Sequence, residues 1–460
     1  MFRKFALIIL ISSLVAYLTA HIGFSSHQVL AISIFCLSIL GTLFFWDFRL
    51  SFAFLGVSVL LATRTIDLEN LVKYSSLEVI LFLVGMMVVI GLLKDVGFFA
   101  WIVSLILRVK NLTARKFILV ISVISVLLAC AVDEVTSIIF IVAAVLEICD
   151  YFEVDPVPFV IMSVLATNIG SAGTVLGNPI GILIATKSGL TFEDFILKAF
   201  PLAVVCLLAM ISLVMFWYRD TIAKLDQKIK ELGANEMLIS LIAVPPDRQT
   251  RKALIVFGLT LGAIAFSYRF DLLLGLKPNT ILLIVPLVTA AIIMIWRHDK
   301  AREFIEKDVE WWTLLFFLLL FAQAGTLKYT GATDVLARDI INFTGGNIYH
   351  LTSVTLWVSV IGSSILDNVV LVTAFIPVVQ GFQVLNPNLQ VLWWALLFGG
   401  CLGGNITLVG STANIVAIGI LEKEKRVRMN FFRWFGVGLS VGLITTLIAW
   451  AALLFLPIYR

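Results

Sequence analysis

Apolar residues run in blocks along this chain, and the blocks are of two kinds. Simple blocks near bilayer-spanning length fall at about 5–20, 29–46, 50–63, 79–93, 199–217, 253–268, 279–296, 311–327 and 434–457. Four others, at 117–150, 157–186, 351–382 and 390–421, carry polar clusters in their centres. About 20 consecutive apolar residues in a helix cross a bilayer, so the simple blocks predict transmembrane helices. The interrupted blocks predict hairpins or broken helices. Backbone groups freed at a break cannot face lipid and must line protein or a cavity.

Composition supports this reading. The chain is 61% hydrophobic and 13% charged, against about 25% charged residues in soluble domains. The fold class is therefore an all-α polytopic membrane protein. The first block follows Arg3-Lys4 and lacks a clear small-residue cleavage site before His21, so residues 1–28 read as an extra, retained N-terminal helix. The one sizeable hydrophilic stretch, 218–252, reads as a partly helical connector between two halves. All five cysteines lie in apolar segments without metal-ligand spacing.

The halves resemble each other. Lys94, Gly97 and Asp133 correspond to Lys328, Gly331 and Asp367 at a constant separation of 234 positions, and "TVLGNPIGI" from Thr174 corresponds to "TLVGSTANI" from Thr407, 233 further on. Such an offset predicts an internal duplication, with repeats at 29–217 and 253–460. If 117–150 and 351–382 are re-entrant hairpins and the N-terminus is cytoplasmic, eleven crossings remain. The cytoplasmic stretches then carry 24 of the 33 Lys and Arg residues and none is left in a membrane core, which satisfies the positive-inside rule. The two repeats come out inverted. Reading 117–150 as a simple crossing would place the basic connector outside.

Four polar clusters sit at membrane depth, two per repeat. The first hairpin holds Asp133, Glu134, Thr136 and Ser137, and the broken segment after it holds Asn168, Gly177 and Asn178. The second hairpin holds Asp367 and Asn368, and its broken segment holds Asn405, Thr407, Ser411, Thr412 and Asn414. Half-helix N-termini suit anions, and loop carbonyls and half-helix C-termini suit cations. Four such breaks meeting near the midplane would form a transporter site. Asp133 and Asp367 are the leading candidates for function, because intramembrane carboxylates are costly. The amides Asn178, Asn405 and Asn414 also need partners at that depth. For Gly170, Gly173, Gly403 and Gly404, close helix packing explains the pattern as well as binding does. Glu134 could face the cavity as a proton carrier or lie at a hairpin edge. The histidines read as loop residues, and several tryptophans at segment ends read as an interfacial belt. There is no phosphate loop, metal-ligand spacing or nucleophile triad, so an enzyme, an ATP-driven pump, a cofactor and a nucleic-acid partner are not expected.

At these residues the chain resembles the ion transporter superfamily of arsenite permeases (ArsB), NhaD-type sodium/proton antiporters, citrate–metal symporters and, as the nearest branch, the melanosomal P protein. The resemblance spans about 29–457. The family's Asp-Asn-Val-Thr hairpin tip looks like 133–136 and 367–370, its "TNIGG…GDPPN" break like 167–181, and its "GGNGTLIGASAN" break like 403–414. Glu134 and Gly181 stand where the family usually has Asn, and Asn178 where it has Asp. The resemblance implies an elevator-like or rocking transporter, with dimers common in the wider superfamily, and a first-repeat ion site tuned toward protons.

The expected function is secondary active transport of a small ion across the membrane, coupled to protons or sodium: sodium/proton antiport or arsenite-type efflux. A desolvated carboxyl such as Asp367 can exchange a proton near neutral pH, and a transient sodium ion would be held at Asp133, Asn178, Asp367 and Asn414. A citrate or dicarboxylate substrate is the alternative; the predicted core offers it no Lys or Arg. A passive channel is the alternative from another class. The expected location is a prokaryotic inner membrane.

Overall fold

A computed structural model describes residues 2–107, 113–232, 247–385, 389–425 and 429–459. The chain runs through α1 (Phe2–Ile22), α2 (Ser26–Phe44), α3 (Arg49–Ala62), α4 (Leu68–Tyr74), α5 (Leu77–Asp95), α6 (Phe98–Leu107), α7 (Ala114–Ala131) and α8 (Glu134–Tyr151). Then follow α9 (Val157–Ser171), α10 (Pro179–Ser188), α11 (Phe192–Trp217) and α12 (Arg219–Leu232). The second half holds α13 (Arg248–Ala265), α14 (Ser267–Leu274), α15 (Thr280–Trp296), α16 (Trp311–Tyr329), α17 (Ala332–Thr344), α18 (Ile348–Ile365), α19 (Asn368–Leu385), α20 (Val391–Gly403), α21 (Thr412–Lys425) and α22 (Phe431–Phe455). Among the described residues there is no β-strand.

Eight of these helices are long and apolar enough to cross a membrane, or nine if α13 and α14, bent by 59°, make one span. The eleven crossings expected from sequence include segments that the structure divides. α9, α15 and α20 are apolar but shorter, and the breaks at 172–178 and 404–411 halve two of the long blocks. α9 and α20 are buried along their whole length, whereas α1 buries only Ile8 and Ser12 and packs on α2. The broken helices thus form the centre and the N-terminal helix the rim.

Each hairpin turns at an aspartate. α7 stops at Ala131, and the Asp133 carboxylate accepts the backbone N–H groups of Val135 and Thr136, both at 2.8 Å, to start α8. α18 stops at Ile365, and Asp367 accepts from Val369 N at 3.0 Å to start α19. Side-chain acceptors satisfy the orphan amides of a helix N-terminus. Both ends of the first hairpin meet α12: Asp226 accepts from Ala114 N at 2.7 Å, and Lys228 pairs with Glu153 at 3.1 Å. The pair therefore enters and leaves on one face. The second hairpin opens toward α17, which packs on both α18 and α19. That is the other face, because α16 runs from the end of the first cavity described below to Lys328, whose ammonium reaches Gln380 of α19 at 2.6 Å. Asp226→Ala should lower thermal stability by about 1 kcal/mol, the usual cost of a lost N-terminal acceptor, read as a melting shift of the detergent-solubilised protein.

The glycines of the breaks are sites of close approach. A Cβ on Gly170 would meet the backbone of Val126, and one on Gly403 would meet that of Val360. The two contacts are related by the same offset of 233 to 234 positions. One basic residue departs from the sequence reading. Arg49, which falls in the short gap between the apolar blocks 29–46 and 50–63, opens α3 and is 7% exposed. Its guanidinium lies 4.1 Å from the Trp46 ring and 5.2 Å from the Phe316 ring, and donates to Thr313 at 3.3 Å.

Candidate functional site

The hairpin tips and the broken helices converge. Glu134 lies at the junction, 2% exposed. Its carboxylate accepts from Asn368 Nδ2 at 3.3 Å, from Asn178 Nδ2 at 3.5 Å and from Ser411 Oγ at 3.5 Å. Glu134 and Asn368 occupy corresponding positions in the two halves, 234 apart. One tip thus touches the other through matching residues. Glu134 N also donates to the carbonyl of Gly177 at 3.0 Å, which ties the first tip to the break after α9.

A second set is built of amides. Asn168 Nδ2 donates to Asn405 Oδ1 and Asn414 Oδ1, both at 2.9 Å. Asn414 Nδ2 donates in turn to the carbonyls of Gly404 at 2.7 Å and Thr407 at 2.8 Å. These two carbonyls are freed by the break between α20 and α21, and a buried carbonyl without a partner is costly. All three asparagines are fully buried, and Asn168 Oδ1 and Asn405 Nδ2 have no hydrogen-bond partner among the described residues.

The remaining sequence-predicted residues fall into two groups. Thr412 Oγ1 donates to Asp367 Oδ2 at 2.7 Å, and Thr136 lines the cavity beside Asp133. Ser137 Oγ is spent on the carbonyl of Glu134 at 3.1 Å, Thr407 Oγ1 on that of Ser364 at 2.5 Å, and Gly177 crosses the backbone of Ser171. These three shape the site without presenting a side chain to it. Asp133, Asn178, Asp367 and Asn414 do not share one hydrogen-bonded set. Asn178 belongs with Glu134, Asp367 with Thr412, and Asn414 with the amides.

Sequence reasoning missed Ser171 and Cys401, which accept from Asn178 Nδ2 at 3.1 and 3.3 Å. Cys401 carried no signal, since an isolated cysteine in an apolar run looks like core. It also missed Glu310, which lines the same cavity and is tied to Thr313. Desolvation at the cavity wall, then the nearby charge of Asp133, raise the Glu310 carboxyl above its ordinary range.

A cavity of about 210 Å³ connects Asp133, Glu134, Asn178 and Thr412 to a mouth at Lys94, Lys307 and Asp308. Lys94 and Asp308 close part of that mouth with an ion pair at 3.1 Å. A second cavity, of about 230 Å³, lies at the other end of α5 and α16. Ser76, Lys187, Lys328 and Thr373 line it. α5 spans 19 residues from Leu77 to Asp95, roughly 28 Å at 1.5 Å per residue, which is close to the thickness of a bilayer core. The cavities therefore lie at opposite ends of helices of about bilayer-core length.

Opposed hairpins, broken central helices and a polar junction between two cavities define a polytopic membrane transporter. The chain belongs to the citrate transporter family, whose model matches residues 42–399. An uncharacterized transporter of Mycobacterium tuberculosis is 30% identical over 351 residues, covering 75% of this chain and 78% of the relative. The human P protein is 25% identical over 458 residues, covering 84% of this chain and 54% of the relative. A crystal structure of the YdaH transporter of Alcanivorax borkumensis has the same fold, with a TM-score of 0.53, 14% identity, and coverage of 87% of this chain and 88% of that one. The protein is an integral membrane transporter and not an enzyme.

Proposed function

We propose that the protein is a secondary active transporter that moves a small ion and loads a proton or sodium ion at Glu134, Asp133 and Asp367. The observation that carries this reading is the surroundings of Glu134. Its carboxylate is met by Asn178, Asn368 and Ser411, all neutral, and pairs with no Lys or Arg among the described residues. A buried carboxylate without a cationic partner is expensive, so binding of a proton or a metal cation is the favourable way to balance it. Donors from both halves hold it. Movement of one half against the other would therefore change the site's ion affinity, which is what alternating access needs. The duplicated halves are read as inverted repeats, with the Lys94 face cytoplasmic by the bias of basic residues.

A second reading, cation-coupled transport of a carboxylate, is favoured by the description of the family as citrate transporters. A carboxylate at this junction would be held by amides and by the bound cation.

The test is transport in proteoliposomes loaded with a pH-sensitive dye under an imposed proton gradient. Sodium, lithium, arsenite, citrate and succinate are added in turn. Dissipation by sodium or lithium supports cation antiport, and dissipation by arsenite alone supports inorganic efflux. Dissipation by citrate or succinate alone supports the second reading. Ion leakage with no coupling to any of them would make the protein a channel and overturn the proposal.

A further inference from the structure

The second cavity has chemistry opposite to the first. The acidic cavity presents Asp133, Glu134 and Glu310. The other is lined by Lys73, Lys187 and Lys328 together with Ser76, Thr373 and Gln380. These lysines come from three separate elements, α4, α10 and α16, and nothing in the sequence places them together. Glu78 pairs with Lys187 at 3.0 Å, and Asp334 lies within electrostatic reach of Lys328, as does Lys187. Lys328 donates to Gln380 at 2.6 Å, a neutral group. Among the described residues Lys73 makes only a contact with the Tyr74 ring, 5.9 Å from its centroid. Deeper in, Thr373 is 3% exposed and its buried hydroxyl has no hydrogen-bond partner among the described residues.

We propose that this cavity binds a small oxyanion carrying two negative charges. Ammonium groups and a hydroxyl donor suit carboxylate and phosphate oxygens. A partly enclosed cleft of one sign focuses the field on its ligand. At about 230 Å³ the cavity is smaller than a drug-sized pocket, which limits the ligand to the size of phosphate or a short dicarboxylate. The cavity lies at the end of α5 and α16 opposite the acidic one, so the oxyanion comes either from solution or from an anionic lipid headgroup. The inference goes beyond the transport reading and does not depend on which ion crosses.

The experiment is calorimetric titration of the full chain in phosphatidylcholine nanodiscs with inorganic phosphate and with succinate, at fixed ionic strength. One anion at least should bind saturably. Lys73→Gln and Thr373→Val should each weaken it about tenfold, the worth of one charge-assisted hydrogen bond. Lys277→Gln, which removes an exposed charge outside the cavity, should leave it unchanged. Neither Lys73 nor Thr373 has a side-chain hydrogen bond to lose among the described residues, so both variants should fold. Added phosphatidic acid, whose phosphomonoester headgroup can carry two charges, identifies the headgroup as the source if it competes with the soluble anion, and absence of competition identifies a free oxyanion. If neither anion binds saturably, or if Lys277→Gln weakens binding as much as Lys73→Gln, the proposal is overturned.

Discussion

Glu134→Gln should reduce proton-coupled transport at least a hundredfold while the protein remains folded. Gln has the shape of Glu but can neither take up a proton nor balance a cation. The change removes a buried charge that no basic residue meets, which favours folding. It also leaves one of the three donors, Asn178, Asn368 or Ser411, poorly matched, which costs about 1–3 kcal/mol. These opposed terms should leave the melting temperature within a few degrees of the parent. Asp367→Asn should impair transport less. Asp367 is also met by a backbone N–H at Oδ1 and the Thr412 hydroxyl at Oδ2; Asn keeps its Oδ1 as acceptor for the N–H, and its Nδ2 can donate to the Thr412 hydroxyl oxygen in return. The measurement is the initial rate of dye-reported proton flux, set beside a thermal melt. Glu134→Asn is the sharper comparison, because it gives both tips the residue already present at 368. If either Glu134 variant moves protons at the parental rate, the coupling group is not Glu134, and Asp133 or Asp367 must carry it.

Much of this architecture was legible in the chain, for a physical reason. A polar cluster in the middle of an apolar run must be buried against protein, so the breaks at Asp133, at 172–178, at Asp367 and at 404–411 announced themselves. The constant offset also has a structural counterpart. Thr174 Oγ1 donates to the carbonyl of Cys130, and Thr407 Oγ1 donates to that of Ser364. Donors and acceptors are shifted by 233 and 234 positions respectively. What the sequence could not show was contact between distant segments. The amide set of Asn168, Asn405 and Asn414, the Lys94–Asp308 pair at the mouth and the meeting of three lysines all join residues with no fixed spacing. Arg49 misled for another reason. A charge beside an aspartate between two apolar blocks looks like a loop, but here Trp46 and Phe316 cover the guanidinium and Thr313 takes one of its N–H groups. Phe316 and Thr313 come from α16, far along the chain, so hydropathy alone could not reveal its burial.

Gly177→Ala and Gly410→Ala should each destabilise the protein by about 1–3 kcal/mol, the range for overpacking a rigid site. A Cβ on Gly177 would lie 2.7 Å from Ser171 Cα, and one on Gly410 would lie 2.8 Å from the carbonyl oxygens of Gly404 and Ser363. These obstacles are backbone atoms. They cannot rotate away as a side chain would, so the loop itself must move. The effect on transport should differ between the two. The carbonyl of Gly177 accepts from Glu134 N, and Asn178 follows it directly. Displacing the first loop therefore disturbs both the backbone and the side-chain support of Glu134. Displacing the second reaches that carboxylate only through Ser411. Gly177→Ala should lower the transport rate at least tenfold, and Gly410→Ala should lower it less for a similar loss of stability. Gly258→Ala in α13, where an added Cβ meets nothing within 4 Å, is the control and should stabilise slightly through helix propensity. Thermal melts and proton-flux rates of the three variants decide the matter. Were Gly177→Ala to behave like Gly258→Ala, the crossing of the break over α9 would be looser than the structure places it, and the support it lends to Glu134 would have to come from elsewhere.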